Sequence, residues 1–293
     1  MKNYLEVGKT PLIPINIDGV SIWGKAEFMN PSGSVKDRPI KNILTRAVEN
    51  GLLSKGGTVV EATSGNAGIS FAMYCAEMGF KCVIVMPSNM SEERKKMLRL
   101  YGAELIEVGA GDFDSAIKLR NELSEKNGWF NGNQFASPWN IEAHRDGTGV
   151  ELMYQAIANK IRPSAFVSGT GTGGTLMGAG ETLKNFYYDM DIVAVEPSES
   201  PVMSGGQPGL HGIQGIGDGS KFMVDLNFVD HIITISTEEA SQMSRRLAKD
   251  YGIFVGISAG SNVLASVKYG HKFDKTNIFT ILCDRGDRYL SIL

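Results

Sequence analysis

Short apolar, β-branched runs alternate along this chain with longer stretches of helical periodicity. Residues 21–28 read as a first strand. The helix that follows, to about Asn50, carries Ile40, Ile43, Leu44 and Ala47 on one face and stops at Gly51. Thr58-Val59-Val60-Glu61 is the next strand, and a helix over 68–78 ends at Gly79. A strand at 81–86, a helix at 91–101, a strand at 104–108 and a helix at 112–126 continue the series. Ser91-Glu92-Glu93-Arg94 has the hydroxyl and the acidic first turn of a helix start. Short strands alternating with helices of this length predict βαβ units on a parallel sheet.

A second series begins after an irregular stretch at 129–138. It reads as a helix over 140–158, a strand at 165–167, a helix to Phe186 and a strand at 191–195. A polar loop rich in Gly and Pro then runs over 196–225. A loop of that length in a compact domain is usually functional. A strand at 232–235, helices at 237–251 and 258–268 and a strand at 277–282 finish the chain. The expected fold class is α/β: two open twisted units with mainly parallel sheets facing a cleft, divided near Ser137-Pro138.

Composition narrows the function without choosing it. The chain has 293 residues, and Lys plus Arg (29) against Asp plus Glu (32) gives a net charge of -3. No basic surplus points to nucleic acid. No apolar run is long enough to span a membrane, and the N-terminus lacks the apolar run of a signal peptide. The three cysteines, Cys75, Cys82 and Cys283, are scattered and form neither a CxxC pair nor a metal-ligand spacing. The expectation is a reduced, cytoplasmic enzyme without structural disulfides or bound metal.

Four stretches carry candidate chemistry. Asn30-Pro31-Ser32-Gly33-Ser34-Val35-Lys36-Asp37-Arg38-Pro39 is a turn-rich loop running into a helix, with Lys36 at the junction. A helix N-terminus disfavours an ammonium, and lysines of lowered pKa serve nucleophilic and Schiff-base chemistry. Thr63-Ser64-Gly65-Asn66-Ala67-Gly68 joins a strand to a helix, either as an anion site or as an ordinary capped turn. Gly169-Thr170-Gly171-Thr172-Gly173-Gly174-Thr175 also follows a strand and opens a helix. It can be read as a cup for one phosphate. It can equally be read as G-x-G-x-x-G with Glu196 at the end of the next strand, the dinucleotide fingerprint of a dehydrogenase. Gly256-Ile257-Ser258-Ala259-Gly260 matches a nucleophile elbow, but no acid stands between Ser258 and His271 as a hydrolase requires. Ser258 then has another task or caps a helix. Three such strand ends with one junction lysine suit pyridoxal 5′-phosphate (PLP), which needs a Schiff-base lysine, a phosphate cup and a partner for its ring nitrogen.

Motifs from end to end resemble the fold-type II PLP enzymes of the cysteine synthase (O-acetylserine sulfhydrylase) family, which share a tryptophan synthase β-like fold. They include Gly8-Lys9-Thr10-Pro11-Leu12, the Lys36 loop, Thr63-Ser64-Gly65-Asn66 and Asn133-Gln134-Phe135. Further matches are Gly171-Thr172-Gly173-Gly174-Thr175, Gly205-Gly206-Gln207-Pro208-Gly209, Ile213-Gln214-Gly215-Ile216-Gly217, Gly256-Ile257-Ser258 and Arg288-Tyr289-Leu290-Ser291. The resemblance implies a smaller domain over 29–139 and a larger one made of 1–28 and 140–293, with PLP in the cleft. It implies that Lys36 forms the Schiff base and later carries the proton. Asn66 would hold the cofactor 3′-oxygen. Gly171, Thr172, Gly173, Gly174 and Thr175 would hold its phosphate, and Ser258 its pyridine nitrogen. Thr63, Ser64 and Gln134, with Asn66 close by, would take the substrate carboxylate, Ser64 lying near Cβ. The implied reaction is β-replacement through an aminoacrylate, in a homodimer acting on O-acetylserine, cysteine or serine with sulfide or water. A non-catalytic relative would not need Lys36, Asn66, Gln134 and Ser258 together.

Three positions depart from the sulfhydrylase pattern: Ala67, Trp139 and Asp218. The first two read as packing changes. Asp218 follows Ile216-Gly217, in the loop expected beside the leaving group. It is either a solvated loop residue or a group that acts on the nucleophile. At about 4 Å and an effective dielectric near 20, like charges cost roughly 4 kcal/mol, so a carboxylate there would repel bisulfide. The same carboxylate could serve neutral water as general base. The alternative function is therefore a cysteine hydroxyl-lyase, turning L-cysteine and water into L-serine and hydrogen sulfide.

Overall fold

The computed structural model describes residues 5–63 and 65–292. In chain order the strands are β1 (Leu12–Ile17), β2 (Val20–Lys25), β3 (Thr58–Ala62), β4 (Lys81–Pro87), β5 (Glu104–Val108), β6 (Phe130–Asn131), β7 (Ala165–Gly169), β8 (Asp191–Pro197), β9 (His231–Ile235) and β10 (Ile278–Ile281). The helices are α1 (Asp37–Glu49), α2 (Asn66–Met78), α3 (Glu92–Leu100), α4 (Phe113–Asn127), α5 (Pro138–Ala143), α6 (Val150–Ala158), α7 (Gly174–Phe186), α8 (Thr237–Tyr251) and α9 (Ile257–Phe273). They form two compact units, Met1–Val7 with Lys36–Asn140 and Gly8–Val35 with Ile141–Leu293.

The first unit is a parallel sheet in the order β5-β4-β3-β6. Alternate residues of each strand point to opposite faces. Cys82, Ile84 and Met86 of β4 pack with α1 and α2, while Val83 and Val85 meet Ala116 and Ile117 of α4. Ile40, Ile43, Leu44 and Ala47 form the buried stripe of α1. Local chemistry sets the ends. Ser91 and Asp112 accept from the backbones of Arg94 and Ser115, and Gly79 and Gly128 close their helices in the left-handed region. Ala67 and Trp139 both belong to the core of this unit, consistent with their reading as packing residues.

The second unit has the sheet order β1-β2-β10-β7-β8-β9, parallel except for the β1–β2 hairpin. Its faces also divide by parity. Val167, Val193 and Val195 pack with α8 and α9, whereas Phe166, Ile192 and Ala194 pack with α6 and α7. The single strand expected over 21–28 is β2 of this hairpin. Its partner β1 is hidden in the sequence by Pro11 and Pro14. An edge strand tolerates proline because one side of its backbone is unpaired. Asp18 (φ 50) and Gly19 (φ 80) make the two-residue turn between them. Residues 29–35 group with this unit, whereas the break was expected at residue 29. Val35 N–H donates to Cys283 O at 2.8 Å, and Ser34 bridges Asp284.

Lys25 is fully buried in the second unit. Its Nζ donates to Thr10 O (2.5 Å), Glu151 Oε2 (2.6 Å) and Gln155 Oε1 (3.0 Å), joining the hairpin to α6. The helix expected over 140–158 starts at Pro138 and contains a π-helical turn, His144–Gly149, between α5 and α6. The turn lies where α7 crosses. A Cβ on Gly178 would come within 2.2 Å of Ile141 O, so the two backbones touch there. Cys75, Cys82 and Cys283 form no disulfide, and no helix among the described residues is long and apolar enough to cross a membrane.

Two stability outcomes follow. Lys25→Met removes the cation from the partly exposed Glu151 carboxylate and leaves Thr10 O and Gln155 Oε1 without that donor, and should cost about 3 kcal/mol in denaturant unfolding. Glu239 shares a capping box with Ser236 and a 2.7 Å ion pair with Lys268, which together hold its carboxyl down at about 2 from an ordinary 4.5. A depressed carboxyl stabilises the fold above its unfolded pKa, and that contribution fades as pH falls from 4.5 towards 2. Glu239→Gln should therefore cost about 1 kcal/mol at neutral pH, discounted for its exposure, and progressively less across that acid window in pH-dependent melting.

Candidate active site

In the second unit, β7 runs into the glycine loop and then into α7. Thr170 is pinned by its N–H to Val195 O (3.1 Å), so the next residues leave the sheet. Gly173 sits at φ +87, a conformation in which a side chain would also meet Val224. A Cβ on Gly171 would lie 2.4 Å from Gly215 O. Only glycine fits these two positions. Gly174 N–H donates to Thr172 Oγ1 at 3.3 Å, while the first N–H groups of α7 have no intrahelical acceptor. The helix dipole adds to those donors, giving a cup for one phosphate.

Ser258 stands in the first turn of α9. It is 4% exposed, and its hydroxyl makes no hydrogen bond among the described residues. It is not the helix cap, because Gly256 occupies that position. Asn262, one turn further along α9, fixes where Ser258 sits. Its Oδ1 accepts from Gly169 N–H at 2.7 Å, and its Nδ2 donates to Ile281 O at 2.9 Å. The ring-nitrogen candidate and the phosphate loop are thus joined by one side chain that the sequence reading passed over. The spacing of four from Ser258 to Asn262 was its available signal.

Glu196, the acid of the dinucleotide reading, is buried and already engaged. Its carboxylate accepts from the backbones of Met203 (2.7 Å) and Ser204 (3.0 Å) and from the Ser204 hydroxyl, folding back the start of the 196–225 loop. Asp218 lies further along this loop and is exposed. Gly217 and Gly219 flank it at φ +70 and +79, and Gly217 N–H donates to Thr170 O at 2.9 Å. Its Oδ2 lies 3.4 Å from where a Cβ on Gly171 would stand, at the edge of the phosphate cup.

In the first unit, Lys36 is the residue on which α1 begins, and Asn66 opens α2. Ser70 Oγ donates to Asp37 Oδ1 at 2.6 Å and also reaches Asn66 O at 3.2 Å. One hydroxyl therefore ties the two helix starts together. Thr63 is buried at the end of β3, where its N–H donates to Val85 O and its Oγ1 accepts from Gly65 N–H. Ser64 lies outside the described residues. Gln134 is 2% exposed, and its side-chain Oε1 is buried without a partner. Glu61 holds its backbone, accepting from Gln134 N–H (3.2 Å) and from Arg120 Nη1 (3.0 Å). Burial pushes the Glu61 carboxyl up, against the pull of Arg120. The Glu61–Arg120 pair was not recognised in the sequence, where a buried acid in a strand looks like any polar interruption.

The residues present suit PLP. An anion cup, an uncommitted hydroxyl on a buried serine, a buried side-chain oxygen without a partner and a helix-start lysine are the groups that cofactor and an amino-acid substrate require. The model of the pyridoxal-phosphate dependent enzyme family matches residues 4–284. The cysteine synthase of Staphylococcus aureus (strain Mu50) is 41% identical over 292 residues, covering 97% of this chain and 94% of that protein. Among solved structures, the cysteine synthase of Entamoeba histolytica superposes with a TM-score of 0.91 at 37% identity, over 98% of this chain and 88% of that one. A hydrogen sulfide-producing enzyme of Fusobacterium nucleatum superposes with a TM-score of 0.93 at 35% identity, over the same shares. With the family matched over nearly its whole length, and with Glu196 committed to its own loop, the dehydrogenase reading falls, and the chain belongs to the pyridoxal-phosphate dependent enzymes, within their cysteine synthase group.

Proposed function

We propose that this enzyme carries out β-replacement on a small L-amino acid, converting O-acetyl-L-serine and sulfide into L-cysteine and acetate. The observation that carries the site assignment is Ser258, a buried residue whose hydroxyl makes no hydrogen bond among the described residues and whose helix is tied through Asn262 to the strand that feeds the glycine loop. When bound, PLP supplies an electrophilic carbon and a sink for the electron pair left at Cα. Gly171, Thr172, Gly173, Gly174 and Thr175 hold its phosphate with backbone donors and hydroxyls. Ser258 hydrogen-bonds the ring nitrogen, and Asn66 the 3′-oxygen. Lys36 Nζ anchors the cofactor and takes the proton from substrate Cα. Thr63, Ser64 and Gln134 bind the substrate carboxylate, with Ser64 beside Cβ. A serine at the ring nitrogen does not keep that atom protonated as a carboxylate would. The sink is weaker, and departure of the β-group outruns reactions that need a long-lived carbanion. By the family resemblance the working assembly is a homodimer in the cytoplasm.

A second reading rests on Asp218. Its carboxylate lies beside Gly171 between two left-handed glycines, and in this reading it acts on the incoming nucleophile. There it repels bisulfide and serves water as general base, favouring L-cysteine and water going to L-serine and hydrogen sulfide. The superposition on a hydrogen sulfide-producing enzyme supports this direction.

Borohydride reduction of the native protein should fix cofactor mass on the peptide holding Lys36. Lys36→Ala should lose that mass, and with it about three decades or more of cysteine formation. Cofactor fixed at another lysine would sink the assignment. Fed L-cysteine, Asp218→Asn should release sulfide in a single turnover without forming L-serine. It should still make cysteine from O-acetylserine and sulfide. Serine produced at the wild-type rate would remove Asp218 from the mechanism.

A further inference from the structure

His144 has no part in the site as described above. It is 1% exposed, in the π-helical turn between α5 and α6, and it makes two side-chain hydrogen bonds at opposite ends of its ring. Nδ1 lies 2.9 Å from Thr148 Oγ1, and Nε2 lies 3.2 Å from Thr175 Oγ1. Thr175 is the last residue of the phosphate loop and the second of α7. The π-helical turn lies against this helix at Gly178, one turn further on. A π-turn inserted in a helix often marks a functional position.

We propose that His144 is a positioning residue for the phosphate loop: as the neutral Nε2–H tautomer it donates to Thr175 Oγ1 and so frees the Thr175 hydroxyl proton for the cofactor phosphate. This rests on the PLP reading of the loop. A hydroxyl has one proton and two lone pairs, so the direction of this chain of three groups is a choice between two arrangements. In the first, Thr148 donates to Nδ1, Nε2–H donates to Thr175, and the Thr175 O–H points to a third partner. In the second, Nδ1–H donates to Thr148, and Thr175 spends its proton on Nε2.

Two observations select the first arrangement. Thr148 is fully buried, and among the described residues its hydroxyl has only His144 as a side-chain hydrogen-bond partner. The second arrangement would leave the Thr148 proton buried without an acceptor, which native structures avoid. Thr175 is half-buried, and among the described residues its hydroxyl likewise meets only His144. In the second arrangement it would turn bare lone pairs toward an anion. The phosphate and Thr148, at opposite ends of the chain, thus favour the same tautomer. Transfer of a second proton to the ring would abolish the acceptor at Nδ1, turn the Thr148 bond round and leave the Thr148 hydroxyl proton without an acceptor.

The chain contains four histidines, so the 15N-histidine-labelled holoenzyme gives a spectrum simple enough to assign by removing His144. Long-range 1H–15N correlation should show one ring with a protonated Nε2 and a bare Nδ1, absent from His144→Gln. An Nδ1–H pattern for that ring would overturn the proposal without touching the PLP assignment. His144→Gln keeps a donor and should bind PLP within about twofold of wild type. His144→Leu removes it and should weaken PLP binding about tenfold, the effect of one lost charge-assisted hydrogen bond. The 31P resonance of the bound cofactor should move in the Leu variant and stay in the Gln variant. Adding Thr175→Val to His144→Leu should cost little more than Thr175→Val alone, because the histidine acts through that hydroxyl. Additive losses, or an unmoved 31P line and PLP affinity in His144→Leu, would refute the role. Wild-type protein that binds no PLP would instead fail the underlying reading.

Discussion

Parallel strands hand their chain to helices at one end of each sheet, and at that end backbone donors run short of acceptors. The site assignment depends on this constraint. A strand's N–H groups are satisfied by its neighbours up to its last residue. A helix's N–H groups are satisfied only after its first turn. Between the two lies a short stretch whose donors must find side chains, water or a ligand. Lys36 and Asn66 stand at such junctions in one unit, and Gly171, Thr172, Gly173, Gly174 and Thr175 at a third in the other. The polar side chains around them mostly serve to fix these junctions. Ser70 couples two helix starts through Asp37 and Asn66, and Asn262 couples a third to its strand.

Much of this was legible in the sequence because the signals were local. Gly79 ends its helix in the left-handed conformation that its position implied, and Ser91 is the cap it looked to be. The phosphate loop announced itself because close backbone approach leaves a visible run of glycines. What stayed hidden was non-local or exceptional. β1 carries a proline that only an edge position permits, and no single-strand pattern shows which edge a strand will occupy. The π-turn at His144 has no sequence period of its own and read as unbroken helix. Glu196 had the right spacing for a ribose partner, and only the fold shows its carboxylate already committed to Met203 and Ser204. Glu61, Arg120 and His144 are buried polar groups whose partners lie tens of residues away in the chain.

Polar groups in this enzyme divide into those the fold has satisfied and those it has left for a ligand. The Lys25 network and the Glu61–Arg120 pair belong to the first kind; their bonds close among themselves and hold backbone in place. The Gln134 side-chain oxygen belongs to the second, buried and yet unspent. Leaving such groups unpaired costs stability. In the site proposed above, substrate binding would offset that cost and so link folding to ligand occupancy.

The close contacts at the glycines bear on how such an enzyme can change. A methyl group at Gly171 would strike Gly215 O, one at Gly178 would strike Ile141 O, and one at Gly256 or Gly260 would strike Asp284 or Ala240 O. Backbone is pressed against its surroundings at each of these points, so the scaffold around the cup cannot absorb new side chains without moving main chain. Asp218 stands on the same loop as one of these contacts, exposed and flanked by Gly217 and Gly219 in the left-handed region. Its neighbours fix its place and leave its chemistry open. On the second reading proposed above, a change of nucleophile would be written at this one exposed position, with the tightly packed glycine scaffold left as it is.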